Sequence, residues 1–153
     1  MIKKLSIIVR NKMVYYEYFI EKEIEAGLLL QGWEVRALRT GNVNINNSYI
    51  SLKNNEAYLF GSNFTPLNNT SSYMLNDPVR NRKLLLNKRE LKFIYDKINI
   101  KGYTVVVIFL YWKNALCKAK IGIAKGKKRY DKRLEMKKRE WKINKERILK
   151  KRL

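Results

Sequence analysis

Apolar and polar residues alternate with the period of β-strands along most of the first 124 positions. Leu116–Ala124 is the clearest stretch: Cys117, Ala119, Ile121 and Ile123 fall on one face, Lys118 and Lys120 on the other. Just before it, Tyr103–Trp112 is interrupted only by Thr104, which predicts a strand buried on both faces, with Lys113-Asn114-Ala115 as the turn between the two strands. Tyr49–Leu52 and Ala57–Phe60 flank Lys53-Asn54-Asn55-Glu56 and read as a hairpin. Val14-Tyr15-Tyr16-Glu17-Tyr18-Phe19-Ile20 is rich in strand-favouring aromatics and predicts a strand with Val14, Tyr16, Tyr18 and Ile20 on one face. Glu21–Gly27 then leads into Leu28-Leu29-Leu30 after an expected bend at Gly27.

Two segments switch to the helical period. Gly32–Arg39 predicts a short helix stopped by Gly41, with Trp33, Ala37 and Leu38 inward. Asn87 and Glu90 are spaced as a capping box, and Leu91, Ile94, Tyr95 and Ile98 follow as one apolar stripe ending near Gly102. Between these elements, Asn42–Asn47 and Ser62–Asn76 are polar and loop-like, and Arg80, Arg82 and Lys83 add three cations after the second loop. About six strands and two short helices in 124 residues predict a mainly β fold: a small antiparallel OB-like barrel with flanking short helices.

From Lys125 the pattern changes. Residues 125–153 carry 15 Lys/Arg against four acids, so under a fifth of the chain holds +11 of its net +21. Leu134, Trp141 and Ile148 recur every seven residues, with Leu149 beside the last. One narrow stripe on a cationic helix makes no core. The expected division is therefore a barrel over 1–124 and a basic C-terminal tail over 125–153, disordered or frayed when free and helical on a partner. The other arrangement open to it is a helix packed back on the barrel through Trp141.

That charge points to polyanions, nucleic acid before anionic lipid. Arg36 and Arg39 are three apart and share the outward helix face, either as a solvated face or as cations for such a partner. With no His and a single cysteine, Cys117, the chain has no internal disulfide, no His/Cys metal cluster and no His-dependent triad. Cys117 reads as a small core residue. No cofactor or metal is expected, and no enzymatic activity. The apolar run in Met1–Val9 is too short for a signal peptide, and Tyr103–Trp112 is half a membrane span, so a cytoplasmic protein without a membrane segment is expected. Pattern and composition alone fit an RNA-binding factor and a structural ribosomal or assembly protein equally. A membrane-surface protein fits less well, because the stripe is narrow.

The motifs separate these readings. Tyr18-Phe19-Ile20, Glu25-Ala26-Gly27, Gly32-Trp33-Glu34-Val35, Asp77-Pro78 with Arg80, Arg82-Lys83-Leu84-Leu85-Leu86 and Lys101-Gly102-Tyr103-Thr104 continue through Leu110-Tyr111, Ile121-Gly122, Gly126-Lys127-Lys128 and Asp131-Lys132-Arg133. In this order and spacing the chain resembles the SsrA-binding protein family, also called small protein B. The resemblance implies an OB-like barrel without catalytic activity and a monomer when free. It also implies binding to the transfer-RNA-like domain of transfer-messenger RNA (SsrA) and its delivery to stalled 70S ribosomes for trans-translation. Asn11, Glu25 and Leu85 match family positions tied to RNA binding by the barrel, and Arg36 and Arg39 are added as candidate cations of that face. Gly126, Lys127, Lys128, Asp131, Lys132 and Arg133 match the start of the tail, which the resemblance places in the empty decoding centre of the small ribosomal subunit. Tyr130 belongs to the same stretch, where many members have His; a phenol still stacks on a base but gains no charge. Trp141, Ile148 and Leu149 match the helix expected in the message channel. Asn47 stands where Asp is common, and the basic leader is reduced to Lys3 and Lys4.

Overall fold

The computed structural model describes residues 6–68 and 76–151. Lys3 and Lys4, and positions 69–75 of the Ser62–Asn76 loop, lie outside them. The elements run β1 (Ser6–Arg10), α1 (Val14–Glu17), β2 (Tyr18–Leu28), α2 (Gly32–Thr40), β3 (Val43–Asn44), β4 (Tyr49–Lys53) and β5 (Glu56–Phe60). They continue with β6 (Asn63–Phe64), β7 (Arg82–Leu85), α3 (Lys88–Ile98), β8 (Tyr103–Lys113), β9 (Leu116–Gly126) and α4 (Arg129–Lys151).

Six strands close a ring in the order β8-β4-β5-β7-β2-β9, and β9 pairs back onto β8. Every pairing is antiparallel. The ring closes narrowly at β2–β7, where only Gly27 and Leu28 pair with Leu85 and Leu84. β4 and β1 share one side of β8: Tyr49 and Ile50 pair with Val106 and Val105, and β1 pairs beyond them with Phe109–Trp112. β3 and β6 form a separate two-stranded ladder. The hairpin turns follow their residues. Asn54 and Asn55 both take positive φ (53° and 60°), as do Asn114 and Ala115 (49° and 63°), the twist that two-residue hairpin loops require.

The barrel is filled by the inward residues of these strands, among them Ile24, Leu59, Leu84, Val107, Ile121 and Ile123. α2 adds Trp33, Ala37 and Leu38, and α3 adds Ile94. Both helices have capping boxes, Gln31 with Glu34 and Asn87 with Glu90, and Gly41 ends α2 in the left-handed region at φ 76°. Leu91 and Ile98 lie against the core beside Ile94, whereas Tyr95 of the same stripe is 55% exposed. Cys117 is buried, and desolvation pushes its thiol up to about 12, so it is a core residue and not a nucleophile.

Two sequence expectations are corrected. Val14–Glu17 is one helical turn, not the start of a strand: Tyr16 and Glu17 both donate their backbone N–H to Met13 O, each at 3.0 Å. The turn seats Val14, 1% exposed, on the outer face of the barrel against Val106, Ile108 and Ala124. That burial outweighs the strand propensity of the tyrosines. There is also no bend at Gly27. β2 runs unbroken to Leu28, with Gly27 paired to Leu85 on one side and Lys118 on the other. A side chain there would press on Leu85 Cβ at 3.2 Å, so the glycine serves a close approach.

Bulges explain how β8 is buried on both faces. Ile108 is an extra residue opposite β9, and Glu21 is one in β2. Each reverses the face on which the later residues of its strand point. Thus Val106 and Ile108 face outward beneath α1, while Leu110, of the same parity, faces the barrel. β9 has small residues at Gly122 and Ala124 under this patch. A Cβ at Gly122 would meet Ile108 and Ile20 at 3.1 Å.

Candidate nucleic-acid interface

The five candidate residues of the barrel fall into three kinds of environment. Asn11 is 3% exposed and internally engaged. Its Nδ2 donates to Asn46 O at 3.0 Å and Ile45 O at 3.4 Å, and its Oδ1 accepts from Met13 N at 3.1 Å. It pins the 45–46 turn to the entrance of α1 and so positions that surface.

Glu25 points outward from β2. Its carboxylate accepts from the Tyr111 hydroxyl and from Lys113 Nζ at 2.9 Å. The Tyr111 bond, then that of Lys113, holds the carboxyl below its ordinary range, so it stays ionised; burial, and after it the same contact, pushes the phenol of Tyr111 up. Leu85 is 52% exposed beside Gly27, and Arg36 and Arg39 are exposed on α2.

Each of the three cations after the long loop is paired with a carboxylate. Arg80 Nε and Nη2 reach Glu34 Oε1 and Oε2 at 3.2 and 2.6 Å, and Arg82 Nε reaches Oε1 at 2.8 Å. Glu34 and Arg82 have fully buried side chains. Arg82 also donates to Ser62 Oγ at 3.0 Å, Arg80 O at 2.8 Å and Pro78 O at 3.0 Å, and lies over the Phe64 ring at 3.8 Å. Lys83 pairs with Glu56 at 2.6 Å. A guanidinium fork and a carboxylate satisfy each other in the interior, and so fix α2 to β7 and to the loop before it.

At the root of the tail, β9 ends at Gly126, opposite Tyr18. Lys127 donates its backbone N–H to Glu17 O at 2.9 Å. Its side chain is 6% exposed; Nζ donates to Tyr15 O at 2.6 Å and Glu135 at 2.5 Å and lies 4.8 Å from the Phe19 ring centroid. Tyr16 contributes a hydroxyl bond to Met136 Sδ at 3.3 Å and a ring beneath Lys132 Nζ at 5.8 Å. Asp131 accepts from Lys128 N at 3.3 Å and caps the first turn of α4. Tyr130 is 71% exposed, and Arg133 is exposed too. α4 buries no residue. Trp141, Ile148 and Leu149 are 68%, 57% and 54% exposed, so Trp141 does not fold the helix back on the barrel. No helix among the described residues is long and apolar enough to cross a membrane.

The surface is thus a closed barrel with one cationic helix projecting from a root built of aromatics. The family model for the SmpB protein matches residues 8–151. The chain belongs to the SmpB family. Among solved structures it is similar to a chain of the assembly described as "tmRNA-SmpB: a journey to the center of the bacterial ribosome", at 35% identity, over 81% of this chain and 87% of that one, with a TM-score of 0.66.

Two features of this SmpB-family chain escaped the sequence reading. Glu34 and Arg82 sit 48 positions apart, and nothing in their spacing marks them as partners. Lys127 reads as one lysine in a basic run, yet it is the one whose ammonium the barrel encloses. The strand period ends at Ala124, and only the structure carries β9 to Gly126, so nothing in the sequence marked Lys127.

Proposed function

We propose that this chain is a transfer-messenger-RNA-binding factor of ribosome rescue, acting by binding and not by catalysis in the cytoplasm, where ribosomes work. Membership of the SmpB family over residues 8–151 carries the reading. The body-and-arm architecture supports the division of labour. The barrel, through the surface around Glu25, Leu85, Arg36 and Arg39, holds the transfer-RNA-like domain. The arm occupies the empty decoding centre through Gly126–Arg133 and the message channel through the stripe of Trp141, Ile148 and Leu149. A carboxylate held ionised by Tyr111 and Lys113 repels phosphates but accepts hydrogen bonds from base and ribose donors, which suits Glu25 to recognition and not to attraction.

The decoding centre is built of RNA bases, so an occupant needs a flat ring and cations. Tyr130 offers the ring, freely exposed one residue into α4, and Lys128, Lys132 and Arg133 surround it with charge. Beyond the anchored first turns, α4 has no buried face of its own, and the ribosome supplies the surface that keeps it helical. Tyr130→Ala is expected to slow peptide transfer on ribosomes carrying truncated messages by roughly 5- to 150-fold, from the stacking free energy of about 1–3 kcal/mol. Binding to free transfer-messenger RNA is unchanged, and Tyr130→His is tolerated. Transfer by Tyr130→Ala at the unmodified rate rules out stacking at this position.

The arginine pair has its own readout. If Arg36 and Arg39 both contact backbone phosphates, Arg36→Ala with Arg39→Ala weakens RNA binding and lowers the log–log salt slope by roughly 1.4–1.8, at about 0.7–0.9 per phosphate. A titration from low to moderate salt checks this. An unchanged slope and affinity make the pair a solvated helix face.

A further inference from the structure

Residues 125–153 carry 15 Lys/Arg and four acids, and an acid in an arm that meets RNA works against its own attraction. Two of the four, Asp131 and Glu135, lie one turn apart at the start of α4, both partly buried. Asp131 caps the helix through Lys128 N. Glu135 accepts from Lys127 Nζ at 2.5 Å, and the same ammonium donates to Tyr15 O at 2.6 Å and lies over the Phe19 ring. With 6% of its side chain exposed, Lys127 has almost no surface to offer a phosphate. Its backbone N–H is taken by Glu17 O, so Lys128 alone separates an anchored residue from Arg129, where α4 begins.

These contacts fix which way the helix faces. At about 100° per residue, Asp131, Lys132, Glu135 and Met136 share one side of α4, and Tyr130, Leu134, Trp141 and Ile148 lie roughly 155° round from it. The first side meets α1 and the chain beside it. Glu135 reaches Lys127, Met136 Sδ accepts from the Tyr16 hydroxyl at 3.3 Å, and Lys132 Nζ lies over the Tyr16 ring at 5.8 Å. The second side is exposed along its whole length. Glu135 is itself 37% exposed, so the ion pair does little for the stability of the barrel. Its effect is geometric: a swing or rotation at the root is carried along all 23 residues of α4.

We propose that Lys127 and Glu135 are positioning residues for the arm: with Tyr15 and Tyr16 they form a clip that sets the direction and rotational phase of α4, turning Tyr130 and the stripe of Trp141 and Ile148 away from the barrel. The proposal rests on the ribosome-rescue reading and gives Lys127 a different task within it. Lys127 makes no contact with ribosomal RNA; Lys128, Lys132 and Arg133 supply the charge. Glu135 is kept in a cationic arm because it closes the clip.

The test is peptide transfer by full-length variants on ribosomes carrying truncated messages, beside NMR of the free protein labelled at its methionine methyls. Glu135→Lys adds a cation to the arm and breaks the clip. It is expected to slow transfer about 2- to 150-fold, the range of coupling within one salt-bridge network, and to remove the nuclear Overhauser contact between the Tyr16 ring and the Met136 methyl. Glu135→Gln, which still accepts from Lys127, keeps both. Lys127→Met slows transfer as well. Lys127→Met combined with Glu135→Lys is expected to be no slower than the slower single variant, because one clip is broken only once. Thermal melting of each variant guards against loss by misfolding. Transfer by Glu135→Lys at or above the wild-type rate overturns the positioning role, since added charge alone would give that result. So do losses that multiply in the double variant, the sign of two separate RNA contacts, and a free wild type without the Tyr16–Met136 contact. A wild type that shows this contact yet transfers nothing overturns the ribosome-rescue reading, and the role of the clip with it.

Discussion

Glu34→Ala is expected to destabilise the barrel by about 3–5 kcal/mol, the usual cost of leaving a buried charge without its partner. The carboxylate accepts four bonds: two from Arg80, one from Arg82 and one from Gln31 N at 2.7 Å. Removing it strands the Arg82 guanidinium, whose side chain has no exposure, among carbonyls and the Phe64 ring. The N-terminal cap of α2 is lost at the same time, and with it the link that orients Arg36 and Arg39. Arg80→Ala costs less, because that side chain is 29% exposed and water replaces the bond. Total stabilities of single domains are about 5–15 kcal/mol, so the Glu34 change removes a large share. Urea denaturation checks it, with Glu34→Leu combined with Arg82→Met as the second arm. Replacing both charges by apolar residues removes the unpaired ion, so the double variant should be more stable than Glu34→Ala. A loss below about 1 kcal/mol for Glu34→Ala, the size of a surface ion pair, shows that the interior does not depend on this charge.

The arginines also mark where sequence reasoning stops. A period of two fixes which strand residues face the core, and it located β4, β5 and β9 because those segments obey it without interruption, while β8 was legible from its unbroken apolar run. It does not reveal which cations are spent inside. Arg80, Arg82 and Lys83 resemble a basic patch one residue at a time, but their partners lie on α2 and β5 and come near only when the ring closes. The same holds for the bulges. Ile108 and Glu21 each reverse the facing of their strand, so alternation counted through them assigns residues to the wrong side. Val14–Ile20 was misread for a related reason. Its aromatics favour a strand, but Val14 completes a cluster with residues 92–110 positions away, and local propensity carries no trace of that packing.

The candidate site divides in the same way. Exposure of Arg36 and Arg39 followed from the pattern, since they share the helix face opposite Trp33, Ala37 and Leu38. The internal engagement of Asn11 did not, because an Asn in a loop looks alike whether its amide meets solvent or two backbone carbonyls. Lys127 is the sharpest instance. Of the three consecutive cations Lys127, Lys128 and Arg129 it is the one that Tyr15, Phe19 and Glu135 enclose, while Lys128 and Arg129 on either side of the helix start remain exposed.

A chain ending at Lys128 is expected to fold, to bind the transfer-RNA-like domain, and to support no tagging on stalled ribosomes. The cut belongs here because β9 pairs with β2 as far as Gly126 and Lys127 still donates to Glu17 O and Tyr15 O. A cut at Ala124 would remove those bonds and confuse folding with function. What is lost from the body is the pairing of Lys127 with Glu135 and the contacts of Tyr16 with Met136 and Lys132; without α4 over it the Lys127 ammonium keeps Tyr15 O and gains water in place of the carboxylate, so melting should shift little. Residues 129–153 take with them 12 Lys/Arg and four acids, a net +8 of the chain's +21. That charge does little for binding at the barrel. A 23-residue helix is roughly 34 Å long at about 1.5 Å per residue. Most of its cations then lie beyond the Debye length of about 8 Å at physiological salt. At low salt the truncated protein should bind more slowly, since steering reaches further. At physiological salt its affinity should stay within about tenfold of the full chain, a difference of 1.4 kcal/mol. Peptide transfer should fall to background, because the ring of Tyr130, the cations beside it and the stripe of Trp141, Ile148 and Leu149 are all gone. Filter binding and transfer on truncated messages, run on the same preparations, separate the two activities. RNA binding lost along with transfer would place recognition in the arm and defeat the division; transfer retained would show that the barrel alone senses the empty site.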